Sequence, residues 1–380
     1  MLKANYKPMP HKSRKADVLI VGAGPVGLTA AIELKRRGFH PRIIDANTGP
    51  NPNSRALAVN PRTLDLLAPC GATEALVAEG IAARKLVIRR NIEVLARIDL
   101  STIPHKYNFL LIISQHKTEQ ILERCLLSQG VKVERNMALV STVGVDAPLV
   151  TLSNGEKMTP QFVIGADGAH SVVRKSLSIG FDGESDKEQF GLADVTVQDW
   201  PFDFETVVLT ILDNHLAPFL PLGENFGRFI TTKPDCLAHL PSDAKIKDVA
   251  WSTDFTISYR QAATYQSGGV FIVGDAAHIH SPVGGRGMNL GIEDACWLAW
   301  LISQGRQNEY TDLRHPVGAK VLKFTHRFTA FAKARGPFQD LVIKLALPIF
   351  SRSPFLQRRL FHNLTALNTP PAPWLSSAGL

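Results

Sequence analysis

The chain has 380 residues, a hydrophobic share of 45% and a formal net charge of +8, a length that exceeds one ordinary domain and suits two intimately joined ones. Its lysines and arginines are scattered and accompany no nucleic-acid-binding motif, so the charge points to an anionic cofactor or substrate and argues against nucleic acid. Cys70, Cys125, Cys236 and Cys296 lie far apart with no CxxC pair, which speaks for reduced thiols in a cytoplasmic setting and against a zinc site.

Residues 1–15 are basic and lack an apolar core, reading as a disordered arm rather than a secretory signal. Val18 to Val21 form an apolar, mostly β-branched run, expected as a strand buried on both faces. Gly22, Gly24 and Gly27 follow as GxGxxG, with Pro25 and Val26 between them. The first glycine permits a tight turn, the second lets a diphosphate touch the backbone, and the third brings helix against strand. Pro25 suits the first helical turn, and Lys35, Arg36 and Arg37 close the helix before Gly38. A second strand, 42–44, delivers Asp45 about twenty residues past the fingerprint, where a carboxylate accepts both hydroxyls of an adenosine ribose. The fingerprint places a diphosphate at the helix start but does not separate NAD from FAD.

After a loop rich in Pro, Gly and Asn, Arg55 either reaches the middle of the dinucleotide or sits in solvent. Leu64, Leu66, Leu67, Leu76 and Val77 supply the apolar face of one or two helices. Residues 85–100 alternate as strands turning at Arg89, Arg90 and Asn91. A short strand then leads to Gln115 and a helix carrying Ile121, Leu122, Cys125 and Leu126, closed by Gly130. Residues 143–152 and 155–159 read as antiparallel ribbon, with Asn154-Gly155 as the hairpin.

Phe162, Val163 and Ile164 form another buried strand that ends at Gly165, Asp167 and Gly168. Asp167 is there either a turn former or a group bonded to cofactor. From Gly180 to Gln266, short alternating segments between Pro, Gly and Asp mark an antiparallel sheet, the candidate substrate region. Its insertion between nucleotide-binding segments places it over the cofactor. Val270 to Val273 return as a buried strand ending at Gly274 and Asp275, and Gly284, Gly285 and Gly287 open a long helix near Met288 whose N–H groups suit an anion. Asp275, His278 and His280 also admit a metal reading, though nothing elsewhere completes the shell. The longest later apolar run, Leu341 to Phe350, is interrupted by Lys344 and Pro348, so no membrane-spanning helix is expected. Leu356, Leu360 and Leu364 opposite Arg358 and Arg359 pattern an amphipathic helix, and the proline-rich tail from Thr369 is expected to be loose.

Three segments, GAGPVG from Gly22, GADGAHSVVR from Gly165 and VGDAAHIHSPVGGRGMN from Val273, together resemble the flavoprotein aromatic hydroxylases, single-component FAD monooxygenases of the para-hydroxybenzoate hydroxylase type. SRALAVNPRTLDLL and the run from Phe255 to Gln266 are similar to the phenol and polyketide hydroxylase branch. The resemblance implies an α/β fold: a Rossmann-like FAD-binding domain (16–84, 109–180 and 267–336), an inserted antiparallel-sheet substrate domain (85–108 and 181–266), and C-terminal helices with a tail (337–380). It implies FAD, with NADPH or NADH and O2 as co-substrates, and hydroxylation of a phenolic or polycyclic aromatic substrate through a flavin C4a-hydroperoxide, in a monomer or homodimer.

Residue by residue, the resemblance gives Asp45 to the adenosine ribose, Arg55 to the flavin side of the cofactor, and Gln115 to the diphosphate and ribityl chain. Asp167 would serve both FAD and NAD(P)H, and Asp275, after Gly274, would bind the ribityl chain. Pro282 would border the substrate cavity, while Gly285, Gly287, Met288 and Asn289 would meet the flavin ring, the last three through backbone amides. His215, Arg228 and Tyr259 are candidate cavity residues by chemistry and position. Three departures stand out: Arg286 where the family usually has Gln, a short 241–247 region, and no thioredoxin-like domain after the tail. They keep open an FAD oxidoreductase without hydroxylation, or a degenerate flavin-binding protein.

Overall fold

The structure is a computed structural model and describes residues 16–52, 56–213, 215–281, 285–333, 353, 365, 367 and 369–376. Its first layer is a six-stranded sheet in the order Gln266–Ser267, Val270–Ile272, Phe162–Gly165, Val18–Val21, Pro41–Ile44, Val133–Glu134. The last five run parallel and the first pairs antiparallel at the edge. All four residues of Val18–Val21 are buried, because helices cover both faces of a parallel sheet and leave no polar parity. Along the chain the strands step outward from Val18–Val21 to one side, then resume at Phe162–Gly165 on the other. The crevice at that reversal, at the carboxyl ends of the strands, is where such sheets hold ligands.

Backbone hydrogen bonds lace those ends together. Gly22 N donates to Ile44 O at 2.8 Å, Ala166 N to Val21 O at 2.8 Å, and Val273 N to Gly165 O at 2.9 Å. The three turns that follow, 22–24, 166–168 and 274–276, therefore open into one place.

The second layer is an eight-stranded sheet ordered His278–Ile279, Lys245–Ala262, Phe181–Gln198, Phe226–Thr231, His215–Gly223, Thr206–Leu212, Lys85–Arg90, Glu93–Asp99. The sequence predicts a purely antiparallel sheet; one junction, Thr206–Leu212 with Lys85–Arg90, is parallel. The hairpin 85–99 comes from a distant part of the chain and is free to dock in either direction, unlike strands joined by short turns. Ile279 and His278 pair with Arg260 and Gln261, so a piece of the segment assigned to the FAD-binding domain completes the substrate sheet. Between the layers sit Ala58–Val59, Leu110–Ile112 and Ile81–Ala83 as a small sheet. Residues 143–152 are not one strand: Leu139–Val143 and Leu149–Leu152 are separated by a turn with Gly144 at φ +78°, and the hairpin to Lys157–Met158 turns through Gly155 at φ +84°.

No helix among the described residues is long and apolar enough to cross a membrane. The arm 1–15 and the 356–364 pattern lie outside the described residues. The tail corrects the sequence reading. Ala372 is buried, Trp374 lies 5.3 Å from Trp297 and 5.4 Å from Trp300 between ring centroids, and the Arg37 guanidinium lies 5.7 Å from the Trp374 ring. Arg62 donates to the Pro370 carbonyl at 2.5 Å. Pro373 opens a short helix, Pro373–Ser376, and one aromatic anchors the segment. Trp374→Ala is expected to lower unfolding stability by about 1–2 kcal/mol, measured as a drop in the urea midpoint at unchanged slope.

Candidate active site

The three fingerprint glycines do different work. A Cβ on Gly22, which sits at φ +102°, would lie 2.3 Å from the Ala166 carbonyl oxygen, and one on Gly27 would lie 1.9 Å from the Gly22 oxygen. Both are filled by the protein's own backbone. A Cβ on Gly24 would meet nothing within 4 Å. The open space is therefore at the middle glycine, at the start of helix Pro25–Arg36, which has no side-chain cap. Unsatisfied N–H groups beside a vacant backbone suit a diphosphate.

Asp45 ends the second strand 8% exposed, its Oδ2 accepting from Ala23 N at 2.6 Å and its Oδ1 from Asn47 N at 2.7 Å. A carboxylate has about four acceptor sites, so capacity remains for ribose hydroxyls. Arg135, which the sequence reading passed over, lies 3.8 Å from Asp45 and bonds Glu123 at 2.6 Å. Gln115 begins helix Gln115–Ser128, but its Nε2 is given to Glu119 Oε1 at 2.8 Å. Burial pushes the Glu119 carboxyl up, against hydrogen bonds from Gln115 and the Asn51 N–H. Gln115 thus braces the loop that leads toward Arg55, and Arg55 itself lies outside the described residues.

Of its two readings, the contacts of Asp167 show the turn former. Oδ2 accepts from Val172 N at 2.7 Å and Val173 N at 3.1 Å, capping the short helix Val172–Ser176. Oδ1 is buried with no hydrogen-bond partner among the described residues. Arg174 holds this turn to the third motif: its guanidinium donates to the carbonyls of Ala276 at 2.8 Å and Ala169 at 2.9 Å.

At the third motif Gly274 has φ +60°, and a Cβ there would touch Val26 Cγ2 at 3.0 Å; one on Gly291 would reach the same methyl at 2.6 Å. Val26 is thus the peg on which the first and third motifs meet, and Asp275 stands exposed beside it. Helix Gly287–Ser303 begins without a side-chain cap, so its first-turn amides have no capping side chain. Asn289 has a different task from its neighbours. Its side chain donates to Ala58 O at 2.8 Å and Gly285 O at 2.6 Å and accepts from Asn60 N at 3.0 Å, clamping the loop to the small sheet. Pro282 lies outside the described residues.

Beneath this helix start is a buried charged network that the sequence did not suggest. His278 Nε2 lies 2.5 Å from Asp294 Oδ2, Arg314 Nε donates to Asp294 Oδ1 at 2.7 Å, and Arg314 Nη1 donates to Glu293 at 3.2 Å, with Arg62 4.0 Å from Glu293. Burial pushes the Asp294 carboxyl up, but Arg314 and His278 outweigh it and hold it below the usual range. Arg286, the departure from the family pattern, is 4% exposed; burial pulls its guanidinium down and Glu293 offsets part of that. The extra cation lies in the field of Glu293, a member of this network. His278 and His280 belong to it too, and among the described residues no three His, Cys, Asp or Glu side chains converge as metal ligands. His280 is 9% exposed, and burial together with the neighbouring His278 lowers it to about 4.

Of the cavity candidates, His215 is turned the wrong way. Strand residues alternate between faces: Leu220 and Leu222 face Ala58, Ala83 and Ile112 of the cofactor side, while Phe219 packs outward with Phe229, Cys236 and Trp200. His215 has the parity of Phe219, and its Nε2 lies 2.9 Å from the His239 carbonyl oxygen on that outer side. Arg228 is on the inner face but forms a two-pronged pair with Asp194 at 2.5 and 2.7 Å and lies 5.1 Å from the Trp251 ring. Tyr259, packed with Phe190, Leu192, Ile257 and Leu322, keeps a buried hydroxyl that makes no hydrogen bond.

The family described as FAD binding domain matches residues 15–233 and 231–325. The 6-methylpretetramide 4-monooxygenase of Streptomyces rimosus is 32% identical over 94% of this chain and 70% of its own length. Pentachlorophenol 4-monooxygenase of Sphingobium chlorophenolicum is 33% identical over 83% of this chain and 65% of its own length. Among solved structures, the anhydrotetracycline hydroxylase of Streptomyces rimosus superposes with a TM-score of 0.76 at 28% identity, covering 94% of this chain and 77% of that one.

Two outcomes follow from the geometry. Gly24→Ala should keep stability within about 1 kcal/mol of the parent yet weaken FAD binding, whereas Gly27→Ala should cost about 1–3 kcal/mol through overpacking; urea unfolding and flavin-fluorescence titration separate the two. His280 is neutral when folded and titrates near 6.5 when unfolded. Below pH 6.5 the unfolded chain therefore binds the extra proton, and stability falls by about 3 kcal/mol as pH drops to 4. Asp294 opposes that shift, and His278 and Arg286 reinforce it. His280→Val should flatten this part of the stability profile between pH 7 and 4.5.

Proposed function

We propose that this chain, which belongs to the family of FAD-dependent aromatic monooxygenases, uses NAD(P)H and O2 to hydroxylate a phenolic or polycyclic aromatic substrate. One observation carries the reading: an unfilled backbone at Gly24, the pinned carboxylate of Asp45 and an uncapped helix start at Gly287 converge on a single sheet reversal. These groups fit FAD, with an anion at the first helix, a ribose at Asp45 and an electron-rich ring edge at the second helix. The buried, unpartnered Oδ1 of Asp167 supplies an acceptor between them.

FAD, held by the Gly24 backbone and Asp45, would supply the hydride-accepting and oxygen-activating chemistry; the chain's own residues bind, orient and exclude water. Amides at Gly287 and Met288 would stabilise negative charge on a flavin held there. The apolar contact of Val207, Leu220 and Leu222 with Ala58, Ala83 and Ile112 closes one flank of the site to solvent. On the inner face of the roof, Tyr259 is the candidate for orienting a substrate hydroxyl, and Arg228 holds the roof's charge balance through Asp194. Arg55 and Pro282 keep the flavin and cavity roles given by the resemblance. The protein is assigned to the cytoplasm, as a monomer or homodimer, in keeping with four cysteines present as free thiols.

The FAD-loaded protein is expected to show NAD(P)H oxidation stimulated by members of a phenol and polycyclic-aromatic panel, with one labelled oxygen atom entering the product under ¹⁸O2. Stimulated oxidation with unlabelled product would replace hydroxylation by another flavin-dependent reaction. No flavin reduction by either nicotinamide under anaerobic conditions would leave a flavin-binding protein without this activity.

A further inference from the structure

Cys70 and Cys125, 55 residues apart in sequence, are neighbours in space. Cys70 ends the one-turn helix Ala68–Cys70 that follows Pro61–Leu67, and Cys125 faces it from helix Gln115–Ser128. The Cys125 thiol donates to the Cys70 carbonyl oxygen at 3.1 Å, an atom two bonds from the Cα that carries the other thiol. The Cys70 thiol donates to Leu67 O at 3.0 Å, so each thiol rests on a backbone carbonyl of the 67–70 turn. Both residues are half-buried, while Cys236 and Cys296 are 3% and 0% exposed.

We propose that Cys70 and Cys125 form a modification site: a pair that hydrogen peroxide converts to a disulfide, joining the end of the 61–70 segment to the 115–128 helix. A disulfide needs the two Cα atoms within about 7 Å and the side chains directed at each other; the contact of the Cys125 thiol with the Cys70 carbonyl sets the two residues side by side, and closing the bond requires both side chains to rotate. Cys125 is the attacking sulfur. Its sulfur accepts from the Gln129 amide at 3.9 Å, and that amide with the nearby Arg36 favours its thiolate, holding the thiol below the usual range. Burial pushes Cys236 up to about 12 and raises Cys296 as well, so those two serve as internal controls.

The steps balance. The Cys125 thiolate attacks one peroxide oxygen, the O–O bond breaks, and the departing hydroxide takes up a proton to leave water and a Cys125 sulfenic acid. The Cys70 sulfur then attacks the Cys125 sulfur; an S–S bond forms, the S–O bond breaks, and the hydroxyl leaves with the Cys70 proton as a second water. Two thiols are oxidised by two electrons in all and one peroxide is reduced. This chemistry is independent of which aromatic compound the enzyme accepts.

The test adds hydrogen peroxide to the FAD-loaded protein, blocks remaining thiols with an alkylating agent in denaturant, and maps peptides by mass spectrometry. Two of the four thiols should be lost, with a cross-linked peptide containing Cys70 and Cys125 that is two hydrogens lighter than its parts and is released by dithiothreitol. Cys70→Ser should stop at a Cys125 sulfenic acid trapped by dimedone, and Cys125→Ser should keep all of its remaining thiols. Retention of four thiols in the parent, a sulfinic acid at Cys125 with Cys70 still alkylated, or a cross-link to Cys236 or Cys296 would each overturn the proposal.

Discussion

The structure depends on one close approach, the backbone of Gly22 against the backbone of Ala166. Nothing larger than hydrogen fits between them, and because each turn follows the carboxyl end of a parallel strand, their contact fixes the crevice between Val18–Val21 and Phe162–Gly165. Gly27 repeats the constraint one turn into the helix, and Val26 transmits it to Gly274 and Gly291. A tight packing of main chain on main chain thus aligns three motifs that are more than a hundred residues apart. Side chains alone, with their rotamer freedom, would hold the same turns with less certainty.

What the sequence disclosed follows the range of the interactions involved. The first strand, the glycine turn, Asp45 and the stop at Gly38 are local signals, each set by a few neighbouring residues, and the structure has them where the pattern places them. The roof was legible as strands but not as a register, and face depends on register. His215 and Leu216 differ by one position, and that parity sends one outward and the other inward. Arg228 read as a cation available to a ligand because its partner Asp194 is 34 residues away. The tail read as loose from its prolines, although Trp374 and the Trp297–Trp300 pair needed only to be brought together. Asp294 and Arg314 sit on separate helices with no shared motif, so only the fold declares them a pair.

That buried network costs desolvation, and apolar substitutes of similar volume often match or exceed such ion pairs in stability. What an apolar filling lacks is direction. Asp294 accepts from His278 with one oxygen and from Arg314 with the other, so the helix Tyr310–Lys333, the helix that begins at Gly287 and the strand bearing His278 are held at one rotation relative to each other. The amides at Gly287 are aimed by this arrangement. The removal of one charged member would strand the rest in a low-dielectric interior.

The strand His278–Ile279 has a consequence for motion. It leaves the cofactor layer at Gly274 and enters the roof within four residues, pairing with Arg260 and Gln261, while Ala262 N donates to Ala277 O at 2.8 Å. Such a seam has no slack for a hinge, so the roof is unable to swing like a lid on this side. Adjustment to a bulky guest must come as sliding of packed elements over one another, and a guest pressing on the roof would be felt at the flavin bed through a few rigid peptide units.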